Sequence, residues 1–337
     1  MVVLYHCASM MAMPEYFGHS PSSLFEYGRF GVPIFFGISG FIITMTALDD
    51  RLRPKMSVRQ FAQRRFARIL PFMWLCIAGY ALIRFVGTHK FEAGPYIRAA
   101  ILWPIGELRP NVIWTLRHEF LFYCLFSIVL ISRRIGWAAL TVWFMLPVAF
   151  AVTQFVLPEL GSSMSPATRE LLGFVGSTVN LSFCAGVLVG VIYRLRPSSI
   201  SDNAHGFLGV IAASTVSIAA VAALDKVTPQ IFYVALASTI FLLLVLYSAS
   251  IRADESRSSW MGSILGDASY AIYLVHNPVL LILLTICTKL KFNNVYIVYG
   301  PMVLTAVLVG IVVHIYVERP IVIWASHIFR QPRPVVV

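Results

Sequence analysis

In a chain of 337 residues, 58% of them hydrophobic and only 12% charged, there is too little charge to cover a soluble surface, where about a quarter of residues are charged, so lipid must be part of the solvent. The net charge of +11 would suggest nucleic-acid binding on a soluble protein, but no basic stripe accompanies a recognisable binding module. Basic residues also crowd the cytoplasmic loops of membrane proteins, which accounts for the charge and leaves nucleic acid excluded as a partner.

A spanning helix needs about 20 mostly apolar residues. Ten such segments follow one another near 1–13, 30–48, 69–87, 112–132, 136–157, 174–193, 205–224, 230–250, 268–288 and 295–317. Their apolar runs are continuous rather than alternating, which excludes a membrane β-barrel. The connections are short, so residues 1–337 are expected to form a single polytopic all-α bundle of about ten transmembrane helices. The first segment is short: roughly 20 Å of helix precedes Pro14 and Glu15, against a core of about 30 Å. It lacks the basic region and cleavage site of a secretion signal. A re-entrant helix or a chain truncated upstream is therefore expected.

The loop at 49–68 holds Arg51, Arg53, Lys55, Arg59, Arg64, Arg65 and Arg68, which places it in the cytoplasm. Alternation from there puts Arg133, Arg134, Arg194, Arg196, Arg252, Arg257 and the C-terminal tail on the same side, with both chain ends inside. The loops 14–29 and 88–111 then face outward. The five cysteines are scattered through apolar stretches, which gives neither a CxxC motif nor a disulfide framework.

Ionisable side chains are costly within lipid, at least about 2.5–3.5 kcal/mol on insertion scales, and they mark functional candidates. His6 reads either as a helix-end histidine bonded to a neighbour or as a general base, since its ordinary pKa suits proton abstraction at neutral pH. Arg117, His118 and Glu119 open the fourth segment, either as an interfacial cluster or with Glu119 facing a cavity and orienting a histidine. Arg65 and Arg68 obey the positive-inside pattern. They are also three apart on one helix face, where two guanidinium groups make a phosphate clamp suited to a coenzyme A nucleotide. His276 precedes Pro278 in an apolar run and is either a packed histidine or the lining of a cavity at a kink. Ser39, between Gly37 and Gly40, lies where small residues allow close helix packing or passage of a thin substrate.

Six stretches, in order, resemble the membrane acyltransferase-3 family, above all its bacterial members that O-acylate exopolysaccharides. They are Val2-Val3-Leu4-Tyr5-His6, Gly31–Phe41, Arg65 and Arg68 with Pro71 and Trp74, Trp114–Glu119 with Phe122 and Tyr123, Ser269–His276, and Glu318–Pro320. The resemblance implies transfer of an acyl group, usually acetyl, from cytoplasmic acyl-CoA to a hydroxyl of a surface polysaccharide or lipid-linked glycan. It implies no metal. The setting would be a bacterial inner membrane, with membrane lipid around the chain and polysaccharide assembly machinery as a partner. On that basis His6 is the base or an acyl relay and Glu119 orients or charge-balances it. Arg65 and Arg68 hold the donor phosphates, and Ser39, Trp114, Tyr270 and His276 line the substrate cavity. The family commonly carries an arginine about eleven residues before its first-helix histidine. Only five residues precede His6 here, again as expected of a truncated start.

Two rival readings follow from the composition alone. One is a transporter of a glycan or small acid, although the halves show no convincing repeat. The other is a non-catalytic scaffold for polysaccharide assembly.

Overall fold

The computed structural model describes residues 1–156, 164–195 and 257–329. The expected spans at 205–224 and 230–250 lie outside the described residues. Among the described residues the chain is helical and has no strand beyond an isolated bridge between Leu48 and Pro54. Six helical stretches among the described residues are long and apolar enough to cross a membrane, so the chain is a multi-pass membrane protein whose described part is all-α. The count of ten is not reached within the described residues.

Helix α1 (Val2–Met11) is ten residues long, or about 15 Å, half a hydrocarbon core. A 3₁₀ helix (Ser23–Phe30), capped by the Ser22 hydroxyl, leads directly into α2 (Gly31–Ala47). This turn crosses the start of α1 with no room for side chains: a Cβ at Gly28 would strike the Met1 carbonyl oxygen, and one at Gly31 the Val2 side chain.

Helix α3 (Val58–Thr88) begins eleven residues before the expected apolar span. Its polar first turns are helical because Ser57 and Gln60 form a capping box, each side chain bonding the other's backbone N–H. Residues 49–56 remain a loop. There Asp49 accepts from the N–H groups of Arg53 and Arg51 at 2.7 and 2.9 Å, and the Arg53 bond foremost holds its carboxyl below the usual range.

Helix α4 (Ala93–Ala100) lies in the connection between α3 and α5, and α5 (Trp114–Ile131) turns back through Ser132 into α6 (Arg133–Val156). The expected span at 174–193 is broken: α7 (Pro166–Val175) ends at Gly176, and α8 (Asn180–Leu195) carries the rest. The last helices are α9 (Arg257–Asp267), α10 (Ser269–Lys289), α11 (Val295–Val313), a π-helical turn (His314–Glu318) and α12 (Arg319–Phe329).

Glycine decides how α2 and α8 meet. A Cβ on Gly186 would collide with the Gly37 carbonyl oxygen, and one on Gly40 with that of Phe183. Backbones so close maximise dispersion contacts where no hydrophobic effect drives helices together. Gly37 and Gly40 therefore serve packing, not passage of a substrate, because they face α8. The opposite stripe of α2, through Phe35, Ile38, Ser39 and Ile42, is left for the cavity.

Candidate active site

A cavity of about 750 Å³ lies between α1, α2, α3, α5, α9 and α10. Its wall on α2 runs from Gly31 to Ile43, which is about 18 Å of helix and more than half of a bilayer core. The wall is mostly aliphatic, and a few ionisable groups project from it.

Glu119 is 4% exposed, and its Oε1 accepts from Ser39 Oγ at 3.2 Å and from the Tyr123 hydroxyl. Glu119 and Tyr123 are one helical turn apart on α5, while Ser39 comes from α2, so a carboxylate oxygen joins the two helices. The charges of Arg65 and Arg68 act on the same carboxylate from α3. The Arg65 guanidinium lies over the rings of Phe61 and Tyr123, 5.6 Å from each centroid. Its Nε is buried and has no hydrogen-bond partner, so a donor remains free beside the cavity. Arg68 is exposed and also lines the cavity. These features fit a phosphate group, which would bring the acceptor oxygen that Arg65 Nε lacks.

Helix α10 supplies the facing wall. The Tyr270 hydroxyl donates to the Ile69 carbonyl of α3 at 3.0 Å, and the Tyr273 hydroxyl bonds the Val112 carbonyl and Thr115 at the start of α5. His276 lies six residues beyond Tyr270, about 9 Å further along the helix. It is fully buried, and its Nδ1 is 3.1 Å from the Ile272 carbonyl oxygen. A carbonyl only accepts, so Nδ1 carries the proton and Nε2 the lone pair. That Nε2 has no partner.

Ser39, Arg65, Arg68, Glu119, Tyr270 and His276 therefore share one cavity. His6 is not among its lining residues. It is half-buried, and its ring packs edge-on against that of His276, with centroids 5.1 Å apart. Trp114 also stands off the cavity, edge-on to Phe36 and His118. It lies one residue before the α5 face that Thr115, Leu116 and Glu119 turn inward.

The cluster Arg117-His118-Glu119 is divided three ways, as successive residues on a helix must be. Arg117 donates to the carbonyls of Pro104 and Gly106 in the loop between α4 and α5. His118 pairs with Asn180 of α8 at 2.9 Å, and Asn180 in turn donates to the carbonyls of Phe174 and Val175. Only Glu119 enters the cavity. Its hydrogen bonds go to hydroxyls, so no histidine is oriented by it among the described residues. Tyr123 and Tyr273 hold the site together, yet in sequence they are two aromatics among many. Beyond the cavity, buried Glu318 takes a 2.7 Å bond from His314 across the π-helical turn. No cluster of three His, Cys, Asp or Glu side chains able to hold a metal ion occurs among the described residues.

A helical membrane bundle with a buried carboxylate, two arginines and two histidines about one cavity has the parts of a membrane-embedded group-transfer enzyme. The chain belongs to the acyltransferase-3 family, described as an acyltransferase domain, whose pattern matches residues 1–316. It is an acyltransferase, which sets aside the transporter and scaffold readings. It is similar to the exopolysaccharide production protein ExoZ of Rhizobium meliloti (strain 1021), at 27% identity over 88% of this chain and 90% of that protein. It is also similar to the acyltransferase MdmB of Streptomyces mycarofaciens, at 25% identity over 74% of this chain and 67% of that one. No solved structure matches.

Proposed function

We propose that the protein moves an acyl group, in the first instance acetyl, from cytoplasmic acyl-CoA to a hydroxyl of a surface polysaccharide or its lipid-linked precursor. The observation that carries this reading is the single cavity joining the arginine pair of α3 to the histidine of α10. Donor and acceptor approach from opposite faces of a membrane, and such a passage lets them meet. The similarity to an exopolysaccharide production protein supports a polysaccharide acceptor.

In this reading Arg65 and Arg68 bind the donor phosphates, with Arg65 Nε–H as the donor left free for them. Glu119 holds the arginines in place by charge, and is itself held by Ser39 and Tyr123. His6 and His276 form the basic end, where the acceptor hydroxyl gives up its proton as its oxygen attacks the acyl carbon. Tyr270 fixes the wall between the two ends. The chain resides in the inner membrane of a bacterium with both ends in the cytoplasm, the orientation its basic loops favour, and polysaccharide assembly machinery is its partner.

The test is proton NMR of surface polysaccharide from wild-type cells and cells lacking the gene. Loss of an acetyl resonance, restored by the wild-type gene but not by Glu119→Ala, is expected. Polysaccharide with unchanged acyl content in the deletion strain overturns the reading.

A further inference from the structure

One charged side chain on the cavity wall is bonded to nothing. Asp267, the last residue of α9, lines the cavity, is exposed, and has no hydrogen bond or ion pair among the described residues. It does not hold the fold together. Helix α10 starts after Ala268 without a side-chain cap. The backbone crosses the junction on its own bonds, from the Ala268 N–H to the Ile264 carbonyl and from the Ile272 N–H to that of Ala268, each 2.9 Å. The negative dipole end of α9 and the positive end of α10 act on the carboxylate in opposite senses, so neither accounts for it. Its acceptor oxygens are free for a ligand.

Position says which ligand. The Tyr270 hydroxyl bonds the carbonyl of Ile69, the residue after Arg68, which sets the level of the arginines on α10. His276 lies six residues to one side of Tyr270 and Asp267 three residues to the other. The wall therefore carries a carboxylate, the guanidinium groups and an imidazole in that order. An acyl-CoA carries its nucleoside, its phosphates, the pantetheine arm and the acyl group in that order. With the phosphates on Arg65 and Arg68 and the acyl group toward the histidines, the nucleoside falls at Asp267. Its ribose 2′-hydroxyl and adenine amino group are donors, and an ionised carboxylate only accepts. An acidic side chain reads a ribose hydroxyl in the same way in dinucleotide-binding folds.

We infer that Asp267 is a specificity-determining residue for the donor, its carboxylate accepting a hydrogen bond from the nucleoside of acyl-CoA; this rests on the acyl-transfer reading and on the assignment of Arg65 and Arg68 to the donor phosphates. The same carboxylate repels phosphate. It therefore favours donors that bring a nucleoside over acyl carriers that bring a phosphate and a pantetheine arm alone.

The experiment uses the full chain in proteoliposomes, with two labelled donors: acetyl-CoA, and S-acetyl-4′-phosphopantetheine, which lacks the nucleoside. Equilibrium binding and the KM of each donor are measured, with purified surface polysaccharide of the source cell as acceptor. The wild-type protein is expected to prefer acetyl-CoA. Asp267→Ala is expected to weaken acetyl-CoA binding by about tenfold, the weight of one charge-assisted hydrogen bond, and to leave binding of the truncated donor unchanged, so that the preference shrinks by the same factor. Asp267→Asn keeps the shape and a weaker acceptor, and its preference should fall between the two. A preference that is unchanged in both variants, an equal loss for both donors, or tighter binding of acetyl-CoA once the charge is gone overturns the assignment. A wild-type protein that neither binds nor transfers labelled acetyl sinks the acyl-transfer reading as well, whereas a wild-type protein that transfers and variants that keep its preference sink only the role of Asp267.

Discussion

The imidazole of His6 stands edge-on to that of His276, with ring planes at 77°. The two residues come from opposite ends of the chain. A second link, from the Tyr299 hydroxyl to the Leu4 carbonyl at 3.0 Å, fixes the short first helix in the same place. The contact makes α1 part of the site although only Met1, Val2 and Val3 at its start, and not its histidine, reach the cavity wall.

The first prediction follows from that contact. His6→Ala removes one imidazole of the basic end, so transfer should fall by about 10²-fold or more. The affinity for labelled acetyl-CoA should hold, because Arg65 and Arg68 are on another helix. Equilibrium binding beside a turnover assay checks both. A His6→Ala protein with wild-type turnover would show that the ring has no part in the reaction.

The arginine pair should act on the donor alone. Charge-assisted bonds contribute roughly 1.5–3 kcal/mol each, so Arg65→Ala together with Arg68→Ala should raise the KM for acyl-CoA by about tenfold or more. The KM for the acceptor should move far less. Initial rates with each substrate varied in turn measure the split, and an unchanged donor KM would rule out the phosphate clamp.

Tyr123 does two things that can be separated. Its hydroxyl donates to Glu119 and its ring lies under Arg65. Tyr123→Phe keeps the ring and deletes the hydroxyl. Stability in detergent should drop by about 1–3 kcal/mol, from the weakened bonding of a buried carboxylate. The donor KM should stay near the wild-type value. Thermal unfolding and steady-state kinetics on one preparation decide this, and a large rise in donor KM would assign the hydroxyl to the clamp instead.

Gly186 should tolerate no side chain. Its missing Cβ is the space occupied by the Gly37 carbonyl, so Gly186→Leu should force α2 and α8 apart at a cost of about 3 kcal/mol or more. Gly79 is the control: nothing lies within 4 Å of a Cβ there, and Gly79→Ala in the interior of α3 should be neutral or stabilise by up to about 1 kcal/mol. Yield of monodisperse protein and its thermal midpoint report both. Equal behaviour of the two variants would remove the close-packing account.

Much of the architecture was legible in the residues because lipid imposes a simple rule: long apolar runs become helices whatever else they contain. Thus α2, α5, α10 and α11 lie close to their expected limits. The start of α3 was missed because apolar length was the signal sought, whereas the Ser57–Gln60 box builds polar helix ahead of the membrane. The break at Gly176 was missed because hydropathy does not register a turn inside an apolar run.

The sequence by itself determined the membrane setting, the helical class, and the small set of ionisable residues that lipid would not tolerate without a purpose. Only the tertiary structure decided which of them meet. Glu119 enters the cavity while its neighbours Arg117 and His118 leave in other directions, Trp114 turns away, and His276 rather than His6 lines the cavity wall. The reason is geometric. Hydrophobic cost is read from each residue alone, whereas direction depends on helix phase and on contacts between segments as far apart as Ser39 and Glu119, or His6 and His276.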